Sequence, residues 1–176
     1  MAKLIRNRRA AADSWQLLEL GAAPKGTAGA LPPVPADGDV IVPLALWQAR
    51  RDALAVRGGQ TGVWLDSHEG PEAIVADLAR LPLIAVNFPS ITDGRGLSTA
   101  RLLRERHGYT GELRAIGAVI SDLVLGMQRC GFDAFALRDD QDIEVALRAL
   151  DELQDAYQAS VVQPQPLFRR RLSGAK

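Results

Sequence analysis

From Asp39 onward the chain alternates short apolar runs with longer stretches in which apolar residues recur at helical spacing. Residues 40–43, 62–66, 83–88, 113–119 and 134–137 are brief and almost wholly apolar, the composition of parallel strands covered by another layer. The intervening pattern predicts helices over residues 44–56, 71–80, 98–107 and 122–130, then a long amphipathic one over 140–160. Pro71 suits a first helical turn, Ser98 an N-cap, and Gly108 and Gly131 left-handed C-caps. Residues 39–160 thus read as five βα units in a mostly parallel sheet. Eight such units need about 200–250 residues, so a complete TIM barrel does not fit. The architectures left are a partial TIM-like barrel and an open doubly wound sheet, and the missing dinucleotide loop after the first strand tilts the choice to the barrel.

Ahead of these units, residues 3–7 and 14–20 read as two strands of a short N-terminal hairpin. Residues 21–38 are dense in Gly and Pro and form a linker. Residues 1–160 make one α/β domain. The end, residues 161–176, reads as an extended basic tail, because Pro164 and Pro166 oppose helix.

Composition adds limits. The chain has 176 residues, 47% apolar and 24% charged, which is ordinary globular usage. Its 21 Lys and Arg balance 21 Asp and Glu, yet four cations lie in the first ten residues and four in the last eight, with no acid in either stretch. The thirteen remaining cations face all twenty-one acids, a net charge of −8 for residues 11–168. That opposes a nucleic-acid partner. No apolar run is long enough to cross a membrane or to serve as a secretory leader. A single cysteine, Cys130, excludes an internal disulfide and a metal–thiolate cluster built by this chain alone, and suits the cytoplasm. Its place at a predicted helix end marks it as a buried residue, not a nucleophile. Trp15, Trp47 and Trp64 read as packing residues.

In parallel α/β folds ligands collect beyond the carboxyl ends of the strands. There the sequence places Asp66, Ser67, His68 and Glu69, then residues 87–96, then Ser121 and Asp122, then Arg138 to Asp140. Asn87, Asp93, Gly94, Arg95 and Gly96 form a buried strand running into a Gly-Arg-Gly turn, which reads either as an anion cradle or as a tight turn in which Asp93 and Arg95 pair with neighbours. Arg138 joins the anion-binding candidates. His68, flanked by carboxylates, and Asp122 are the candidate proton carriers; an exposed imidazole and a helix cap are their simpler readings. His107 fits a helix C-terminus. No metal set and no cofactor fingerprint is evident, although a flavin or nicotinamide phosphate could use the Gly94-Arg95-Gly96 turn.

Residues 111–119, the run Arg129-Cys130-Gly131-Phe132-Asp133-Ala134-Phe135, residues 42–47, Asn87-Phe88-Pro89, Asp93-Gly94-Arg95-Gly96 and Asp13-Ser14-Trp15 resemble a DUF934-like bacterial family of unknown function. Members of that family are encoded beside assimilatory sulfite reductase and labelled oxidoreductases of sulfite reduction. The resemblance implies a process: an accessory of sulfur assimilation acting with sulfite reductase or a neighbouring enzyme. The alternative is a small α/β oxidoreductase or other enzyme binding an anionic substrate or nucleotide cofactor at the strand ends. Exposed sheet edges in a partial barrel also favour a homodimer.

Overall fold

A computed structural model describes residues 3–21, 31–153 and 155–173. Its strands are β1 (Lys3–Arg6), β2 (Arg9–Ala11), β3 (Trp15–Leu17), β4 (Asp39–Pro43), β5 (Thr61–Leu65), β6 (Leu83–Phe88), β7 (Glu112–Gly117) and β8 (Ala134–Leu137). Its α-helices are α1 (Leu44–Ala55), α2 (Arg95–Arg101), α3 (Val124–Arg129), α4 (Ile143–Asp151) and α5 (Leu167–Ser173). The strands form one sheet in the order β2-β1-β8-β7-β6-β5-β4-β3. β3 to β8 pair in parallel, and β1 is antiparallel to both β8 and β2.

The two sheet edges, β2 and β3, are joined by Ala12, Asp13 and Ser14 alone. Laid flat, eight strands spaced at about 4.8 Å would separate these edges by about 34 Å. The connector from Ala11 to Trp15 reaches at most about 14 Å. The sheet therefore curls into a half-barrel. Alternation along each strand follows: Val40, Val42, Val63, Leu65, Ile84, Val86, Leu113 and Ala115 face outward into the main core with Leu46, Trp47, Ala100, Leu103, Val124 and Ala146 of the helical layer. Ile41, Leu83, Ala85 and Ile116 form a second, inner cluster with Trp15, Trp64 and Ala136. Helices thus cover one face and the strand side chains fill the other, which selects the partial barrel over the doubly wound sheet.

An ionic knot closes the inner face. Arg114 on β7 is 1% exposed; its Nη1 donates to both carboxylate oxygens of Asp13 at 3.0 Å and its Nε to Glu112 at 2.7 Å, while Arg6 pairs with Glu112 at 2.8 Å. The connector between the sheet edges is thereby tied to the middle of the sheet.

Several elements differ from expectation. Residues 3–7 do not pair with residues 14–20: β1 turns back on β2 through Asn7 and Arg8, both at positive φ, and β3 crosses to the opposite edge. The two-residue turn matches strand twist, and the Arg8 guanidinium is held by Gln128, the Leu150 carbonyl and Asp151. Between β5 and β6 lie two 3₁₀ helices, Pro71–Ala73 and Val75–Arg80, where an α-helix was expected. α2 begins at Arg95 and continues as a π-helix, Leu102–Arg106, so Ser98 lies inside the helix and caps nothing. A 3₁₀ turn, Ser121–Leu123, precedes α3. α4 ends at Asp151, well short of residue 160, although Asp142 caps its start by accepting from the Glu144 N–H. The tail is not extended throughout, because α5 forms directly after Pro166, where a helix start tolerates a preceding proline. Pro71 does stand in a first turn, and Gly108 and Gly131 do have positive φ. Linker residues 22–30 lie outside the described residues; 31–38 carry only an isolated bridge, Asp37 to Gly58.

Candidate functional site

The parallel pairing of β5 with β6 brings their carboxyl-end loops side by side. Asp66, the first residue beyond β5, is the hub. Its Oδ1 accepts from Asn87 Nδ2 at 3.0 Å and from the Ser67 N–H at 2.7 Å, and its own N–H donates to Glu69 Oε2 at 2.7 Å. Its Oδ2 stands 3.3 Å from His68 Nδ1. Ser67 turns to the other loop and accepts from Arg95 Nη2 at 2.8 Å.

Arg95 grips Asp93 with Nε at 3.0 Å and Nη2 at 2.6 Å, and the Arg95 N–H donates to the same carboxylate at 3.1 Å. These bonds hold the Asp93 carboxyl far below the usual carboxylate range, the side-chain bond weighing most, and raise the guanidinium in turn. Arg95 is 60% exposed, and its Nη1 has no acceptor among the described residues. The side chain is fixed at one edge and open at the other. Ser90 and Thr92 share a hydroxyl contact of 2.9 Å in the same loop. His68 is 67% exposed, and its Nε2 has no partner among the described residues. One rim thus presents an immobilised guanidinium and an imidazole beside a carboxylate: a charge-assisted donor pair for an oxyanion, and a group able to carry a proton.

The glycines divide. At Gly96 a methyl group would stand 2.8 Å from Phe88 Cζ and 2.9 Å from Val86 Cγ1, so this glycine lets α2 approach β6. At Gly94 a methyl would meet only Leu97, at 3.8 Å. The space over the turn is open there.

Asp122 and Arg138 are not drawn into this cluster by any contact. Asp122 lies on the 3₁₀ turn beside α4, in a depression shared with Val145 and Arg148. Arg138 is committed to Asp140 through two bonds of 2.6 Å, which pull that carboxyl down to about 2. Cys130 is half-buried, with its thiol pushed up chiefly by desolvation. The sequence placed Asp66 and Glu69 beside His68 as carboxylates able to orient it, and Ser67 in the same loop without a role; the legible signal was their position just after a buried strand. Among the described residues no group of three or more His, Cys, Asp or Glu could hold a metal ion, and no helix is long and apolar enough to cross a membrane.

Residues 62–168 match the family described as "Bacterial protein of unknown function (DUF934)". The chain belongs to this family. The matched DUF934 region runs from β5 into α5 and holds the whole rim from Asp66 to Arg95, as well as Asp122 and Arg138, whereas β1 to β4 precede it. No curated protein and no solved structure matches the chain.

Proposed function

We propose that this protein is an accessory of assimilatory sulfite reduction in the bacterial cytoplasm, acting with sulfite reductase or a neighbouring sulfur-assimilation enzyme, and that its barrel rim holds a small oxyanion. Support for the process comes from the resemblance carried by residues 129–135 and 87–96. The observation that carries the ligand class is Arg95: Asp93 and Ser67 fix Nε and Nη2, so Nη1 is offered in a set direction with little entropy left to lose on binding. A second reading, a small enzyme acting on the same anion, is favoured by His68 beside Asp66. In that reading Arg95 Nη1 holds the anion and His68 Nε2 takes or returns a proton.

Deletion of the gene tests the process: growth should fail on sulfate and sulfite and return on sulfide or cysteine, and normal growth on all four sources would refute it. Calorimetry with sulfite and sulfate on the wild type and Arg95→Ala tests the rim. Loss of one charge-assisted bond predicts affinity weakened about tenfold to a hundredfold. Equal affinities would remove Arg95 from the site.

A further inference from the structure

Three exposed apolar side chains near the C-terminus lie on one patch. Tyr157 is 70% exposed, Phe168 48% and Leu172 76%. Phe168 and Leu172 stand one turn apart on α5 and so share a helix face. The Tyr157 ring lies 6.5 Å from that of Phe168. This face belongs to an anchored helix, because Arg170 turns inward to Asp155 at 2.7 Å and the Leu167 N–H donates to the Tyr157 carbonyl at 3.3 Å. Arg169 lies against the Phe168 ring at 5.9 Å, and Arg171 is exposed with no partner among the described residues. Residues 167–176 contain four cations and no acid. An apolar stripe bordered by cations asks for an apolar floor bordered by carboxylates.

The same chain carries one. Between the Ser121–Leu123 turn and α4 lies a depression of about 450 Å³, lined by Val145 and Ala149 with Asp122, Asp151 and Glu152 beside them. Asp151 is already paired with Arg8, and Arg148 also lines the depression, but the Asp122 and Glu152 carboxylates have no partner among the described residues. In a single copy both surfaces are open, so α5 does not fill its own depression.

We propose that α5 of one copy docks in this depression on a second copy, seating Phe168 and Leu172 against Val145 and Ala149 and bringing Arg171 to Asp122 and Glu152, with the same contact made in return. Reciprocal docking closes as a two-fold dimer, whereas one-way docking would leave a free helix and a free depression and grow into filaments. The charge layout agrees, since the body carries −8 and each end is cationic. The basic helix offsets the repulsion between two acidic bodies.

Sedimentation equilibrium on the full chain, at several salt concentrations, provides the test. The wild type should dimerise in the micromolar range at low salt and dissociate as salt rises. Leu172→Asp should weaken the dimer at least about tenfold while leaving the near-UV spectrum and, at concentrations where the wild type is monomeric, the thermal midpoint unchanged. Arg171→Glu and the double variant Asp122→Lys, Glu152→Lys should each be monomeric alone and form a mixed dimer when combined. A wild type that stays monomeric at low salt, a dimer indifferent to Leu172→Asp, or charge-swapped partners that ignore each other would each overturn the proposal.

Discussion

Gly117 decides how Asn87 can stand at the end of its strand. Its φ is +88°, and a methyl group there would lie 2.5 Å from both Asn87 Oδ1 and the Phe88 carbonyl oxygen. Strain at such a backbone position alone costs about 1–3 kcal/mol. Gly117→Ala should therefore lower stability by about 2 kcal/mol in urea unfolding and, by displacing Asn87 from Asp66, should also weaken anion binding at the rim. A variant that lost stability but bound sulfite as the wild type does would show that Asn87 does not organise the site. Arg95 and His68 were legible in the sequence because the strand-end rule needs only local pattern. The carboxylate beside His68 was legible with it, but the partner of Arg95 across the two loops was not, since the Arg95 to Ser67 bond exists only because β5 and β6 are neighbours. Nor could the sequence distinguish Gly94, with open space above it, from Gly96, which is pressed against Phe88.

At the scale of elements, the five parallel strands over residues 39–137 were readable because each is a buried run whose pattern stands by itself. The N-terminal segment was not. β2 is Arg-Ala-Ala, which local preference sends toward helix, and only pairing with β1 makes it a strand. The length of the last helix failed for the opposite reason: the apolar stripe continues past Asp151, yet Leu153 and Tyr157 are exposed and only the small Ala156 is buried, too little to reward continued winding. Arg114 adds an ionic tie between the N-terminal segment and the sheet, through Asp13 directly and through Glu112 to Arg6. Removing one partner of a buried ionic cluster costs about 3–5 kcal/mol. Arg114→Met leaves the Asp13 carboxylate with the Trp15 N–H alone while Arg6 still faces Glu112, so a loss of about 3 kcal/mol is expected. Arg6→Met, at a position nearly one-third exposed, should cost well under half of that. Equal losses in denaturant titrations would mean that the knot has no centre at Arg114.

For the whole molecule, the half-barrel depends on its first strand. Leu4 and Ile5 are fully buried. Burying two such side chains contributes about 3–6 kcal/mol, a large share of the about 5–15 kcal/mol that holds a domain together. A chain lacking β1 should therefore lose its cooperative thermal transition; a sharp transition within a few degrees of the wild type would show that the remaining sheet folds unaided. The pairing of β1 with β8 also has a consequence during synthesis. Lys3 lies opposite Leu137, so the first strand leaves the ribosome long before its neighbour has been made. At about 5–20 residues per second that interval is on the order of ten seconds. Through it, β2 is the one strand available to Leu4 and Ile5, and the cations Lys3, Arg6, Arg8 and Arg9 keep this waiting hairpin solvated until β8 arrives.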